Sequence, residues 1–216
     1  VGYKFTGWDT KDDFEIKDNK TVIAQYETID DVIPKENPQG GENEKPEGYI
    51  TVTFEKGDHG ELEGNTVFYV NPNKAVVLEG KAPTVKPNTG YDFADWDTQI
   101  AKKIQYSDGD TIKALYNEKE DVIPQENPDG SDKPEGYVTV TFDNGEHGTL
   151  SGKTVYYVNP NKEVTVPAPD VKPSVGFEFD KWDKALTQTF AKDTKITAQY
   201  APLENVIPQE NKDGSD

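Results

Sequence analysis

Alternation of apolar and polar residues marks the clearest elements of the chain. In residues 49–54, Ile50, Val52 and Phe54 fall on one side, and a tyrosine and two threonines fall on the other. Successive side chains of a strand point to opposite faces, so this period of two predicts a half-buried β-strand. Residues 57–60 begin and end with glycine, which predicts a tight turn. Residues 62–70 predict a second strand, which the Asn-Pro-Asn sequence that follows it ends.

Two further segments alternate in the same way. Residues 90–96 predict a strand in which Tyr91 and Phe93 lie on the face opposite Trp96. Residues 111–116 predict a strand with three side chains on one face: Ile112, Ala114 and Tyr116.

The rest of this pattern predicts very little helix. Residues 76–78 form a short apolar run. Prolines bound residues 82–87, where at most one irregular helical turn fits. Short helices fit the pattern only around residues 97–106 and 184–190. The predicted fold class is therefore strand-dominated α+β with little helix.

The chain repeats itself. Residues 47–54 return as 135–142, and residues 69–74 return as 157–162, both at the offset 135 − 47 = 88. Further markers occur three times: Trp8, Trp96 and Trp182, and the sequence Val-Ile-Pro at 32–34, 122–124 and 206–208. The last Val-Ile-Pro follows the second at 206 − 122 = 84, which indicates two short deletions in the final copy, near 79–81 and near 106–110.

These offsets divide the chain into repeats and joints. The predicted limits are a C-terminal half of a repeat at 1–36, a linker at 37–46, a complete repeat at 47–126, a linker at 127–134, a complete repeat at 135–210 and a tail at 211–216. The missing half of the first copy is expected to have been removed by truncation rather than supplied by another chain. Prolines and a buried Val-Ile pair, docked on the repeat that it ends, predict stiff joints.

Composition and charge exclude several functions. The 216 residues include 23 lysines, no arginine and 41 acidic residues, and the net charge is −18. This charge argues against nucleic acid and against an anionic membrane surface as partners. The absence of cysteine excludes disulfides and thiolate chemistry, and no apolar run approaches the roughly 20 residues of a membrane helix. Aromatic residues make up 11% of the chain, and their regular spacing favours folded repeats over disorder.

Catalytic and metal-binding interpretations are weak for the candidate residues. His59 and His147 occupy the same glycine-rich turn in the two repeats and have no second histidine beside them, which favours a structural role. The acidic turns at 107–110 and 127–132 lack the residue order of an EF-hand, and the last copy lacks the Asp108-Gly109 pair. We therefore expect no catalytic residue, no metal site and no cofactor.

Two other candidates also favour structural roles. Lys113 is a candidate for an isopeptide crosslink, but the alternation of its strand points it away from the Ile112 face. An aromatic set offers either a carbohydrate platform or a core, and its spacing on inward strand faces favours the core: Tyr69, Tyr91, Phe93, Trp96 and Tyr116.

The motifs of the repeats resemble a known family. Residues 46–54, 59–62, 69–72, 82–83, 90–91 and 96–97 resemble the SHIRT repeat (streptococcal high identity repeats in tandem), and the second repeat matches at the equivalent positions. The Gly-Tyr-x-Phe-x-x-Trp part is also similar to internalin B-repeats and other β-grasp-like modules of Gram-positive surface proteins. The resemblance implies tandem, elongated β-grasp-like repeats that form the stalk of a cell-wall-anchored adhesin and are not enzymes.

The function expected from this resemblance and from the absence of a catalytic cluster is that of a spacer. The chain is expected to be an extracellular monomer whose partners are its own adjacent repeats, and to project a terminal binding domain from the cell wall. The alternative is a module that binds a host extracellular matrix protein, immunoglobulin or glycan. That alternative predicts an exposed aromatic or apolar patch on a repeat.

Overall fold

Strands make up nearly all of the regular structure in a computed structural model that describes residues 1–10 and 19–204. The chain divides into two compact units, Val1–Asn117 and Glu118–Asp216. The first unit begins with β1 (Tyr3–Trp8), β2 (Ala24–Thr28), β3 (Val32–Pro34), β4 (Ile50–Glu55) and β5 (Gly60–Glu63). It continues with β6 (Val67–Val70), β7 (Thr84–Pro87), β8 (Tyr91–Trp96) and β9 (Asp110–Glu118).

The second unit repeats most of this order. It contains β10 (Val122–Pro124), β11 (Val138–Asp143), β12 (Gly148–Ser151), β13 (Val155–Val158) and β14 (Glu163–Thr165). It continues with β15 (Asp170–Pro173), β16 (Phe177–Trp182), β17 (Thr187–Thr189) and β18 (Thr194–Pro202). The prediction of a strand-dominated fold with little helix is confirmed, and the β-grasp-like assignment stays a prediction.

Each unit has one five-stranded sheet with the same strand order. The order is β3-β6-β4-β9-β8 in the first unit and β10-β13-β11-β18-β16 in the second. The pair β4–β9 is parallel, as is its counterpart β11–β18. Two-stranded sheets accompany them: β5–β7 in the first unit, and β12–β15 and β14–β17 in the second. A further pair, β1–β2, forms a separate antiparallel sheet within the first unit.

The core lies on the inner face of each five-stranded sheet. The predicted alternation is confirmed on β4 and β9, because Val52, Phe54, Ile112 and Ala114 are buried together. Their burial removes apolar surface from water, which is the main source of stability here. The second core is built from the equivalent residues: Val140, Phe142, Tyr156, Val158, Val164, Val166, Phe190 and Ile196.

The Val-Ile-Pro segments join the repeat that follows them. Val32 pairs with Val70 and Ile33 with Tyr69. Strand β3 is therefore an edge strand of the sheet whose other strands follow it in the chain. The segment Val122–Pro124 pairs in the same way with β13. The prediction that this pair docks on the repeat that it ends is therefore wrong. Proline is tolerated in such a strand because an edge position leaves one side without hydrogen-bond partners. The third segment, 206–208, lies outside the described residues.

A β-bulge explains one departure from the predicted alternation of faces. The register of β16 against β18 shifts between Phe179 and Lys181, so an extra residue reverses the order of faces. As a result Phe179 and Trp182 lie on the same face, with ring centroids 5.4 Å apart. The prediction that Phe93 lies on the face opposite Trp96 is also wrong, since the rings of these two residues are 5.4 Å apart.

The predicted short helices are absent from the described residues. The one helical element there is a 3₁₀ turn at Glu79–Lys81, while residues 97–106 form turns and bends. Residues 184–190 contain β17, which pairs with β14. The proline-bounded segment 82–87 holds strand β7, because β5 offers it a pairing edge. Non-local pairing thus overrides the local pattern at residues 82–87 and 184–190.

The second deletion lies earlier than the sequence suggested. Ile100 and Leu186 accept equivalent hydrogen bonds in the two repeats, at the offset 186 − 100 = 86. The buried aromatic residues Tyr106 and Phe190, which precede β9 and β18, are already offset by 190 − 106 = 84. The two missing residues therefore fall between Ile100 and Tyr106, and the prediction of 106–110 is wrong.

Candidate functional site

The two histidines are packed against aromatic rings. The ring of His59 stacks on Tyr91 with centroids 3.9 Å apart and planes 4° apart. The ring of His147 stacks on Phe177 at 3.7 Å. The structure therefore places both histidines in aromatic packing beside the turns that precede β5 and β12.

The glycines of these turns approach a tyrosine closely. A Cβ atom on Gly60 would lie 2.3 Å from the hydroxyl oxygen of Tyr116, and one on Gly148 would lie 2.2 Å from that of Tyr200. The two hydroxyls donate to main-chain carbonyls of the same turns, at Lys56 and at Asn144. Glycine is required at these two positions because no side chain fits between the turn and the tyrosine.

The predicted aromatic set belongs mainly to the core. Tyr69 and Trp96 are buried, and Phe93 and Tyr116 pack against the buried cluster of the first unit. An open cleft of about 630 Å³ lies beside Trp96, but the residue is only 8% exposed. Its ring therefore offers little surface to a ligand. The prediction of core positions is confirmed for these four residues, while Tyr91 lies beside His59.

The acidic turn at 107–110 holds main-chain amides. Asp108 Oδ1 accepts from the Thr51 amide at 2.8 Å, and that hydrogen bond, followed by the charge of Lys45, lowers the pKa of Asp108. In the last copy Asp193 accepts from the Thr139 amide at 2.7 Å, so the role survives without the Asp-Gly pair. In the described residues no three acidic or histidine side chains are grouped so that they could hold a metal ion.

The loop at 127–132 is organised by the same kind of bond. Asp132 Oδ2 accepts from the amide of Glu126 at 2.6 Å, and Asp129 Oδ1 accepts from the amide of Ser131 at 3.0 Å.

Lys113, the candidate for a crosslink, lies with its Nζ 3.2 Å from Asp58 Oδ2 on an exposed face. Its predicted direction, away from the Ile112 face, is confirmed.

A set of three residues that the sequence did not single out recurs at the start of both complete repeats. We call it the clamp, and it consists of Asp31, Asn71 and Lys74 in the first repeat. The Asn71 side chain donates to Asp31 Oδ1 at 2.9 Å and its main-chain amide donates to the Asp31 carbonyl at 2.9 Å. Lys74 Nζ donates to Asp31 Oδ2 at 3.0 Å. The clamp therefore fastens the residue before β3 to the end of β6.

The second clamp has the same geometry. Asn159 donates to Asp121 Oδ1 at 2.8 Å, and Lys162 donates to Asp121 Oδ2 at 3.0 Å. Lys162 also donates to Glu118 Oε1 at 2.6 Å. These two carboxylates raise the pKa of Lys162, with the Glu118 hydrogen bond as the larger cause.

Local sequence shapes the clamp. The Asn-Pro-Asn-Lys segment ends β6 because Asn71 Oδ1 accepts from the amide of Asn73 at 3.1 Å, which is a turn typical of asparagine. Lys74 then lies three residues after Asn71 and faces the same aspartate. The hydrogen bond from Asn71, followed by that from Lys74, lowers the pKa of Asp31. Asn71 and Asn159 are each only 2% exposed, so these buried amides depend on their protein partners.

A buried tyrosine supports each clamp. The Tyr49 hydroxyl donates to the carbonyl of Asp30 at 3.0 Å, and the Tyr137 hydroxyl donates to that of Glu120 at 2.8 Å. Burial, followed by the nearby charge of Asp31, raises the pKa of Tyr49. The segment before the edge strand is thus held at two successive residues.

In the first unit, the preceding half-repeat meets the complete repeat at the clamp. The amide of Ile29 donates to the carbonyl of Gly2 at 3.0 Å, and a Cβ atom on Gly2 would lie 2.9 Å from Asn71 Nδ2. A Cβ atom on Gly48 would lie 2.7 Å from a methyl carbon of Val1. The β1–β2 hairpin therefore ends directly against Asn71. A signal for the clamp was present in the sequence, since Asp-Val-Ile-Pro and Asn-Pro-Asn-Lys both occur twice.

Comparison with protein families gives two matches. Residues 51–122 match the model of the Listeria-Bacteroides repeat domain, and residues 138–204 match that of the divergent InlB B-repeat domain. No curated protein and no solved structure matches the chain. In the described residues, no helix has the length and apolar character to cross a bilayer. The chain thus carries consecutive repeats similar to the Listeria-Bacteroides and InlB B-repeat types, which are typical of extracellular bacterial surface proteins.

Proposed function

We propose that the chain is a spacer in a bacterial surface adhesin, without catalytic activity, and that its repeats hold a terminal binding domain away from the cell wall. The observation that carries this proposal is the clamp, which occurs in both complete repeats with hydrogen bonds that differ by 0.1 Å or less at Asp31 and Asp121. A spacer needs each joint to resist bending. A buried amide that fixes the residues just before a repeat supplies such resistance.

The finer features of the proposal come from the motifs of the repeats. We propose SHIRT-like, β-grasp-like repeats in tandem, in a protein anchored to the cell wall of a Gram-positive bacterium. The net charge of −18 supports this role, because like charges keep neighbouring chains of a dense surface layer apart.

The alternative function, binding of a host protein or glycan, predicts an exposed aromatic patch. In the described part of the two complete repeats, residues 31–204, every aromatic side chain is buried or half-buried. The spacer function therefore has the better support. Saturable submicromolar binding of matrix protein, immunoglobulin or glycan by the 216-residue chain would favour the alternative.

Small-angle X-ray scattering tests the spacer. The 216-residue chain is compared with chains lengthened by one and by two further copies of residues 118–204. We expect the maximum dimension to increase by the same step for each added copy. The matched control is the lengthened chain with Asn159→Ala in every copy, for which we expect a smaller and more variable dimension. A maximum dimension that stops increasing with added copies would contradict the proposal.

A further inference from the structure

The β1–β2 hairpin exposes three aromatic side chains on one face. Phe5, Trp8 and Tyr26 are 48%, 53% and 62% exposed. They form one cluster, because the ring of Phe5 lies 5.5 Å from that of Trp8 and 5.8 Å from that of Tyr26. An exposed aromatic cluster of this kind is typical of a surface that binds a partner.

The complete repeats show what covers the same residues. Trp8 pairs with Ala24 as Trp182 pairs with Ala198, so β1 and β2 correspond in register to β16 and β18. In the second repeat the ring of Phe142, on β11, packs on Trp182 with centroids 4.9 Å apart. In the first repeat Phe54, on β4, packs on Trp96 at 4.8 Å. A phenylalanine from the first half of a repeat thus covers the tryptophan of the second half in both cases.

The hairpin also has an open strand edge. Strand β18 has β16 on one side and the parallel strand β11 on the other, whereas β2 pairs with β1 alone in the described residues. The apolar residue two positions before the paired alanine is Ile196 in the second repeat, where it is fully buried. In the hairpin the equivalent residue, Val22, is exposed. An unpaired edge beside an apolar face is a template for an added strand.

We propose that this face and edge form a docking surface for the first half of a repeat, joined to the hairpin through Gly2 in one polypeptide. A strand like β4 pairs in parallel with β2, and its phenylalanine packs on Trp8. The occupant is recognised by its chemistry, which is an alternating strand with a large apolar side chain at the Phe54 position. A charged side chain at that position would be buried without a partner, so it would prevent docking.

A second copy of this chain is a poor occupant. Its β4 already lies between β6 and β9, and its β11 lies between β13 and β18. Either strand would have to leave its own sheet, which costs the buried core of that unit. Linkage in one polypeptide supplies a free strand at high effective concentration.

Fusion tests the proposal. Residues 31–88 are added ahead of Val1 of the 216-residue chain, so that Asn88 precedes Val1 as it precedes Thr89 in the first repeat. Acrylamide quenching of tryptophan fluorescence then reports on Trp8, because Trp96 is only 8% exposed and Trp182 is half-buried. We expect the component of the fluorescence that acrylamide quenches most strongly to be lost, because Trp8 becomes covered. We also expect exchange of the amides of residues 22–26 to slow by at least about tenfold.

Two controls make the result specific. The same fusion with Phe54→Asp in the added segment only is expected to leave Trp8 as accessible as in the 216-residue chain. Trp8→Phe in the 216-residue chain assigns the accessible signal. If the unsubstituted fusion leaves Trp8 fully accessible, the proposal is overturned.

Two further measurements test the source of the occupant. A free peptide of residues 47–72, which contains no tryptophan, is expected to give no saturable protection at micromolar concentration. Protection of Trp8 by this peptide at micromolar concentration would show that linkage in one polypeptide is not needed, and it would overturn that part of the proposal. Dimerisation of the 216-residue chain that protects Trp8 would assign the surface to a second copy instead, and it too would overturn the proposal.

Discussion

Asn71 holds Asp31 through both of its donors. The side-chain amide donates to the carboxylate and the main-chain amide donates to the carbonyl of the same residue, each at 2.9 Å. Because Asn71 is 2% exposed, water has little access to replace either bond. One short side chain therefore connects the end of β6 with the residue before β3. The pairing of β3 with β6 continues the same connection along the sheet.

Removal of the clamp amide is expected to destabilise its repeat. In Asn159→Ala, Asp121 Oδ1 loses the hydrogen bond from the side chain, and a small cavity forms at a buried position. We expect the free energy of unfolding of the second unit to fall by about 1–3 kcal/mol. Hydrogen exchange of the amides of β11 and β13 under increasing urea measures it. Asn161→Ala is the matched control, because Asn161 is an exposed asparagine of the same turn. An equal loss in both variants would contradict a specific role of Asn159.

Acid is expected to release the first clamp. Hydrogen bonds from Asn71 and then from Lys74 lower the pKa of Asp31 below its ordinary value of 3.8. A carboxyl group with a lowered pKa in the folded state stabilises the fold above its unfolded pKa. That contribution is lost as the pH falls through the lower, folded value. We therefore expect protection of the Asn71 amide to decrease below about pH 4. Exchange rates at several pH values, corrected for intrinsic exchange, measure this protection.

Asp31→Asn is the control for the acid effect. Asparagine keeps an oxygen for the Asn71 side chain but has no carboxylate to titrate. In this variant, protection of the Asn71 amide is expected to be lower at neutral pH, because the charge that pairs with Lys74 is lost. We also expect that protection to change less on acidification. An unchanged acid response in this variant would assign the effect to another group.

Gly60→Ala is expected to destabilise the first unit. The added methyl group would lie 2.3 Å from the Tyr116 hydroxyl and 2.8 Å from the carbonyl of Lys86, so the turn or the tyrosine has to move. We expect a loss of about 1–3 kcal/mol in urea unfolding. Gly80→Ala is the matched control, because nothing lies within 4 Å of a Cβ atom at that position. The control is expected to stay within about 0.5 kcal/mol of the parent chain. An equal change in the free energy of unfolding in both variants would show that Tyr116 moves aside without cost, and it would contradict the argument.

The sequence predicted those elements whose faces follow from local alternation. Val52 and Phe54 on β4, and Ile112 and Ala114 on β9, are buried as the period of two requires. The recurring motifs also predicted domains similar to internalin-type repeats, which the match at residues 138–204 confirms. In these segments the local pattern and the tertiary environment agree, so one period is sufficient.

Features that depend on distant partners were not predicted. A bulge in β16 places Phe179 and Trp182 on one face, and a period of two does not predict where an extra residue is inserted. The segment Val32–Pro34 docks on β6, more than thirty residues later, and nothing local indicates which neighbour it joins. The clamp was missed because Asp31 is one acidic residue among 41, and its partner becomes evident only from the fold. Its recurrence with Asn-Pro-Asn-Lys was the available signal.

A buried hydroxyl at Tyr106 is missing from the equivalent position of the second repeat, and that difference predicts the effect of removing it. Tyr106 is 5% exposed and its hydroxyl has no hydrogen-bond partner in the structure, while Phe190 fills the equivalent position in the second unit. A buried polar group without a partner destabilises the folded state. Tyr106→Phe is therefore expected to raise the free energy of unfolding of the first unit by up to about 1 kcal/mol. The reverse substitution, Phe190→Tyr, is the matched control and is expected to destabilise the second unit. Urea unfolding followed by hydrogen exchange of β9 and β18 measures both, and a loss of stability in Tyr106→Phe would contradict the argument.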